Sequence, residues 1–112
     1  MIQLFMKRSG SPVIVPLRFP ASQSAITEAS CQLDEASIEG KTEIVEIKSV
    51  IANLPSYLSR LDPDSRTQLA QLNRLSSIIA QMDSRERNIY AGALDGNSIN
   101  DLNDVIRVAE QV

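Results

Sequence analysis

Carboxylates are the main side chains in this sequence that could do acid–base or metal chemistry, because the chain contains no histidine. Most acid–base catalysis and most nucleophilic triads depend on an imidazole, so their commonest forms are excluded. Each of the close carboxylate pairs lies at a predicted helix boundary or in a polar link, where capping or solvation accounts for it. The residues therefore favour a protein that is not an enzyme. The pairs are Asp34 with Glu35, Asp62 with Asp64, and Asp101 with Asp104.

A metal site and a cofactor site are not predicted either. The segment DPDSRTQLAQLN, residues 62–73, lacks the central glycine and the closing glutamate of a calcium loop. Cys31 is the only cysteine, so there is no CxxC pair to hold zinc and no internal disulfide. We interpret Cys31 as a small core residue, and we expect no cofactor.

No segment predicts export or a membrane span. The opening MIQLFMKRSG has too short an apolar run for a signal peptide, and no stretch approaches the roughly 20 apolar residues that cross a bilayer. Together with the single cysteine, this predicts a cytoplasmic protein without a membrane partner.

The charge of the chain argues against direct binding to nucleic acid. The net charge is −3 and the isoelectric point is about 4.8, so a phosphate backbone is not attracted. The last predicted helix, INDLNDVIRVAEQV, would be the DNA reader, yet it has one arginine, Arg107, against three acids. A surface richer in carboxylates than in bases suits a protein that binds another protein.

The fold class predicted from the sequence is α+β, with a small three-stranded sheet and one helix in residues 1–52. Two β-prone runs, residues 2–6 and 13–17, are joined by a turn containing glycine and proline. Pro16 cannot donate to a strand ladder, so its strand lies at a sheet edge or is interrupted there. The first part is therefore predicted to begin with a hairpin.

A helix and a third strand complete this ββαβ subdomain. Apolar residues at helical spacing predict a helix over residues 22–33, with Ser22 as its N-cap. Residues 42–51 are rich in isoleucine and valine and predict the third strand.

Residues 53–112 change to a period of 3.6 and predict an all-helical subdomain of three to four short helices. Asp83 and Glu86 have the spacing of a capping box, and Ile89, Tyr90 and Leu94 are predicted to lie on the buried face of the helix that follows. The predicted helices are a short turn at LPSYLSRL, one over residues 64–82, one that begins at Asp83, and a last one capped by Ser98 or Asn97.

Several motifs follow one another in this second half. They are Leu-x-x-Tyr-Leu at residues 54–58, Leu-Asn-x-Leu at 72–75, Met-Asp at 82–83 followed by Glu86 and Tyr90, and Ser-x-x-Asp-Leu-x-Asp-Val-Ile at 98–106. In this order, residues 44–112 resemble the ArdA antirestriction family. The run Leu-Arg-Phe-Pro-Ala at 17–21 extends the resemblance more loosely into the first half.

The resemblance implies a mimic of B-form DNA that blocks the DNA-binding channel of type I restriction and modification enzymes. The implied partner is a host nuclease or restriction-modification enzyme, with no direct contact to nucleic acid. Carboxylates projecting at intervals would then imitate the field of a phosphate backbone. The acids implied in this role are Glu28, Asp34, Glu35, Glu39, Glu43, Glu46, Asp83, Glu86, Asp95, Asp101 and Asp104.

Two alternatives stay open at this stage. The first alternative is a non-enzymatic α+β protein-interaction module of a mobile element. The second is an inhibitor of another nuclease, such as a CRISPR effector. A mimic needs carboxylates along one face, whereas a solvated domain would mix them with bases all round. The oligomeric state is also open, with a homodimer as one option.

Overall fold

The computed structural model describes residues 2–36 and 40–112 and confirms an α+β fold, with a three-stranded antiparallel sheet and five helices in this part of the chain. None of these helices is both long and apolar enough to cross a membrane. The elements are β1 (Ile2–Arg8), β2 (Val15–Phe19), α1 (Gln23–Ala36), β3 (Thr42–Ser49), α2 (Leu54–Tyr57), α3 (Arg66–Ala80), α4 (Ser84–Gly96) and α5 (Leu102–Glu110).

The strand order is β2-β1-β3, so β1 is central and both neighbours are edge strands. Pro16 pairs with Phe5 and lies on an edge strand, as its missing N–H requires. The second strand begins at Val15 rather than at residue 13. Val13 and Ile14 precede it and are about half exposed, at 46% and 50%, because they lie in the connection rather than on the sheet.

The two faces of the sheet differ in chemistry because successive side chains of a strand point to opposite sides. Ile2, Leu4 and Met6 of β1 are buried against the helices. The residues between them belong to the other side, which we call the open face of the sheet. A register shift between Phe5 and Met6 marks an irregularity in the pairing with β3.

Helix α1 packs on the sheet through Ala29 and Leu33, which are buried. Ser22 caps it as predicted, since its Oγ accepts a hydrogen bond from the N–H of Ala25 at 3.1 Å. The prediction that Cys31 is a core residue is wrong, because this side chain is exposed. At 100° per residue, Cys31 lies on the side of α1 opposite to Ala29.

Helix α3 begins at Arg66, two residues later than predicted. Ser65 has extended backbone angles and its Oγ accepts a hydrogen bond from the N–H of Gln68 at 3.2 Å, so Ser65 is the N-cap. Asp64 lies before the helix, and its carboxylate accepts hydrogen bonds from Thr42 instead.

Helix α4 begins with the predicted capping box, in which Asp83 and Glu86 each accept a hydrogen bond from the backbone of the other. Tyr90 and Leu94 are buried as predicted, but Ile89 is 50% exposed. Ile89 is one residue from Tyr90 and therefore rotated by about 100° around the helix axis, away from the side of α4 that is buried.

The cap predicted for the last helix is wrong. Asp101 is the N-cap of α5, because its carboxylate accepts a hydrogen bond from the N–H of Asp104 at 3.0 Å. Ser98 and Asn97 lie outside the helix, in the connection that follows the end of α4 at Gly96.

The buried hydrophobic residues of both halves belong to a single cluster. It includes Phe19 and Leu17 of the sheet together with Leu72, Leu75 and Tyr90 of the helices. The boundary predicted near residue 52 falls between the end of β3 and the start of α2. The division into two subdomains at that point stays a prediction.

Candidate functional site

The exposed side of α1 is the most uniformly acidic helical surface. Glu28, Asp34 and Glu35 are exposed, and this helix contains no lysine or arginine. Glu28 and Glu35 are seven residues apart, so they lie on nearly the same line along the helix, about 10 Å apart in axial rise. Neither forms an ion pair with another described residue. We call Glu28, Cys31 and Glu35 the α1 face.

Asp34 differs from these two glutamates because its charge is paired. The guanidinium of Arg8, whose side chain is only 15% exposed, binds the Asp34 carboxylate at 2.5 Å and lies 3.7 Å from Asp64. Asp64 in turn accepts hydrogen bonds from the backbone N–H and the hydroxyl of Thr42, at 3.1 and 2.6 Å. This network ties the end of β1 to α1 and β3, so Asp34 has a structural role.

The acids of β3 lie among bases on the open face of the sheet. Glu43 is paired across the strands with Lys7, and Glu46 with Phe5. The ammonium of Lys48 lies 5.3 Å from the centroid of the Phe5 ring. Glu43 also accepts a hydrogen bond from the Ser9 hydroxyl at 3.0 Å. This face therefore has mixed charge, which does not resemble a phosphate backbone.

The acids at the starts of α4 and α5 are helix caps. Asp83 and Glu86 form the capping box, and Asp101 caps α5. Asp104 accepts hydrogen bonds from the N–H of Asn100 at 3.0 Å and from Arg107 at 2.6 Å. A carboxylate near a helix N-terminus is stabilised there by the helix dipole, so local structure accounts for these residues.

Asp95 is the acceptor in a cluster that joins α2 to α4. The Tyr57 hydroxyl donates to Asp95 Oδ1 at 2.6 Å, and the Asn53 amide donates to the same atom at 3.1 Å. The hydrogen bond from Tyr57, and then that from Asn53, lowers the pKa of the Asp95 carboxyl. The same bond raises the pKa of Tyr57, because it favours the protonated phenol.

Replacing Tyr57 by phenylalanine is expected to raise the pKa of Asp95 toward its ordinary value, because the stronger donor to the carboxylate is lost. The pKa is lowered in the folded state, so this bond contributes stability above the ordinary pKa. The contribution is lost as the pH falls through the folded pKa. NMR titration of the Asp95 carboxyl carbon measures the shift. An unchanged midpoint in Tyr57→Phe would contradict this assignment.

Of the eleven acids implied as phosphate mimics, Glu39 lies outside the described residues. The others are distributed over α1, β3, α4 and α5. A DNA duplex as long as the 41 Å longest dimension of the protein carries about 24 phosphate charges at one per about 1.7 Å. The net charge of this chain is −3. Any mimicry is therefore confined to a local face, and the α1 face has the chemistry for it.

Sequence patterns did not indicate two surface grooves, one lined in part by Tyr57 and the other in part by Asp95. One, of about 440 Å³, is lined by Tyr57, α3 and the start of α5. The other, of about 330 Å³, lies between residues 50–53 and α4 and includes Asp95. Within residues 2–36 and 40–112, no three His, Cys, Asp or Glu side chains come together to hold a metal ion.

No protein-family model, curated protein or solved structure matches the chain.

Proposed function

We propose that this protein is an antirestriction or related anti-defence protein, a non-enzymatic inhibitor that occupies a nucleic-acid-binding surface on a host restriction-modification enzyme. The observation that carries the proposal is the α1 face, where Glu28 and Glu35 are exposed on a helix without bases. The resemblance of residues 44–112 to the ArdA family supports the same function.

The α1 face would act by electrostatic attraction. An enzyme that holds DNA presents lysines and arginines to the phosphates, and exposed carboxylates are attracted to the same groups. Because the net negative charge of the chain is far smaller than that of DNA of equal length, the interaction is a local contact rather than complete filling of the channel. Added salt should weaken it, since the Debye length falls to about 8 Å at physiological ionic strength and further above it.

In cells with a type I restriction system, expression of the protein is expected to raise the plating efficiency of unmodified phage. The double change Glu28→Lys with Glu35→Lys should remove most of that rescue, because it replaces attraction by repulsion. We expect partner affinity to fall by at least about tenfold, or roughly 1.4 kcal/mol. Plating efficiency and binding to the purified enzyme measure the two effects.

The matched control is Glu43→Lys with Glu46→Lys, which changes the net charge equally on the open face of the sheet. This variant should keep most of the rescue, since Lys7 and Lys48 already give that face mixed charge. Equal loss in both variants would assign the effect to net charge and contradict a role of the α1 face. No rescue by the folded, unmodified chain would overturn a type I target and direct the assay to other nucleases.

Cys31 allows the α1 face to be located in a complex. It is exposed and lies between Glu28 and Glu35 along the helix. Alkylation of its thiol should be slowed by a bound partner enzyme and restored by high salt. Unchanged alkylation of Cys31 in a formed complex would place the interface elsewhere.

The mixed charge of the remaining surface favours a second candidate, a protein-interaction module of a mobile element without DNA mimicry. Asp34, Asp101 and Asp104 pair with bases or cap helices, as in an ordinary solvated domain. Such a module would bind its partner with little dependence on salt and would not compete with DNA. Competition between the protein and duplex DNA for the partner enzyme distinguishes the two candidates.

A further inference from the structure

Strand β3 has one edge that no other strand covers within residues 2–36 and 40–112. The opposite edge of the sheet, on β2, carries Pro16, which lacks an N–H and limits pairing there. Strand β3 contains no proline, and Val45 near its middle is 48% exposed. An edge with free backbone groups and an exposed apolar side chain is a surface to which a further strand can pair.

The backbone groups that point outward from β3 follow from the pairing in the sheet. In an antiparallel ladder, pairs that exchange hydrogen bonds alternate with pairs that do not, and Pro16 with Phe5 must be of the second kind. The N–H and C=O of Phe5 therefore point to Glu46 of β3. The N–H and C=O of Ile44 and Ile47 then point away from the sheet.

The start of this edge is covered by a side chain. The N–H of Thr42 donates away from the sheet to Asp64 at 3.1 Å, which agrees with the outward direction assigned to Ile44. No described residue outside the sheet accepts a hydrogen bond from the N–H of Ile44 or Ile47. The part of the edge available for pairing is therefore residues 43–48.

The irregularity in β3 decides which strand can pair there. Phe5 is opposite Glu46 and Met6 is opposite Ile44, so Val45 is one extra residue, a bulge. A bulge shifts the alternation of faces by one residue, so a regular strand cannot match the edge on both sides of it. A second copy of β3 carries the same extra residue, and two copies placed antiparallel across a twofold axis do match.

The outward groups fix the register of this pairing. The axis lies midway between Ile44 and Ile47, so each of them is opposite the other residue in the second copy. The two resulting pairs exchange four backbone hydrogen bonds. Ile44 and Ile47 pair with Met6 and Leu4 inside the sheet, so their side chains lie on the side that faces the helices in both copies.

The same register brings opposite charges together on the open face of the sheet. Glu43 lies opposite Lys48 of the second copy, and the axis repeats this pair. Opposite charges directly across neighbouring strands stabilise their pairing. The two Glu46 side chains lie on either side of the axis, and their repulsion weakens the association.

We propose that this protein forms a homodimer in which two β3 edges pair antiparallel and join the sheets. Each copy contributes the eight residues of β3, fewer than the roughly 20–30 of a standard interface, so we expect a Kd of roughly 10–100 µM. Helix α1 packs mainly on β2 and β1. The inhibition proposed for the α1 face therefore does not require the dimer.

The test uses two charge reversals in the full chain, each of which makes the facing charges alike. Glu43→Lys places lysine opposite Lys48 at both ends of the interface, and Lys48→Glu places two glutamates there. Each variant alone should dimerise at least about tenfold more weakly. A one-to-one mixture should restore the dimer, because the heterodimer has opposite charges at both ends. Sedimentation equilibrium measures the association, and circular dichroism verifies that each variant folds.

Arg18→Glu is the matched control. Arg18 and Lys48 pair with Gln3 from its two sides, so the same charge reversal is made at the other edge of the sheet. This variant should dimerise like the unmodified protein. Equal weakening by Arg18→Glu and Lys48→Glu would assign the effect to net charge and overturn the proposal.

Amide hydrogen exchange reports the register. The N–H groups of Ile44 and Ile47 should exchange more slowly as the protein concentration rises, because only the dimer gives them a partner strand. The proposal is overturned if that exchange does not slow or if mixing the two variants does not restore association. It is also overturned if the unmodified protein is a monomer at about 1 mM, at least about ten times the expected Kd.

Discussion

Replacing Tyr90 by alanine is expected to lower the free energy of unfolding by about 3–5 kcal/mol. The Tyr90 side chain is fully buried and belongs to the hydrophobic cluster shared by the sheet and the helices. Its hydroxyl donates to the carbonyl of Val105 at 3.0 Å and so links α4 to α5. Burial strongly raises the pKa of this phenol, because the charged form would lack water.

Denaturant unfolding followed by circular dichroism measures this loss of stability. A second substitution separates the contribution of ring packing from that of the hydrogen bond. Tyr90→Phe keeps the ring but removes the hydrogen bond, so it should cost only about 0.5–1.5 kcal/mol. If Tyr90→Ala destabilised the protein no more than Tyr90→Phe, the packing of the ring at this position would be contradicted.

Replacing Asn73 by leucine is expected to cost about 2–4 kcal/mol, because two backbone groups lose their partner. The Asn73 side chain accepts a hydrogen bond from the N–H of Ala21 at 2.7 Å and donates one to the carbonyl of Ala21 at 2.9 Å. This pair fastens the connection between β2 and α1 to α3. Leucine fills a similar volume but offers neither bond.

The control for this change is Asn88→Leu, an exposed position on α4 where the same substitution should change stability by no more than about 0.5 kcal/mol. The two variants are compared by their denaturant midpoints at equal slope. A similar small effect at Asn73 and Asn88 would show that the bonds to Ala21 contribute little to folding.

The motif residues on which the proposed resemblance to the ArdA family rests have structural roles in this chain. Asn73 of Leu-Asn-x-Leu binds the backbone of Ala21, which ends the Leu-Arg-Phe-Pro-Ala run. Tyr57 of Leu-x-x-Tyr-Leu binds Asp95, and Asp83 caps α4. These residues join elements to one another, whereas the proposed contact with a host enzyme lies on α1, outside residues 44–112.

Local chemistry was sufficient to predict the elements of the fold. Ser22 and the Asp83 capping box form hydrogen bonds within three residues along the chain, so a short sequence segment is enough to predict these helix starts. The same reasoning limited the strand of Pro16 to a sheet edge or an interruption, and the structure shows the edge position. It missed Asp101 as a cap because Ser98 and Asn97 are equally good cap residues, and the choice depends on where α4 ends.

The distribution of the acids was not predictable in the same way. The sequence offers no reason to distinguish Asp34 from Glu35. Only Asp34 forms an ion pair with Arg8, which lies in β1, 26 residues earlier in the chain. Cys31 and Ile89 were assigned to the interior by their type, but the orientation of each helix on its neighbours exposed them.

The sequence by itself determined the α+β class and most helix starts, because propensity, period and capping act within about one turn of helix or one strand. Only the tertiary structure decided which carboxylates are paired and which side of α1 is exposed. Those properties depend on side chains far apart in the chain, and packing alone brings such side chains together.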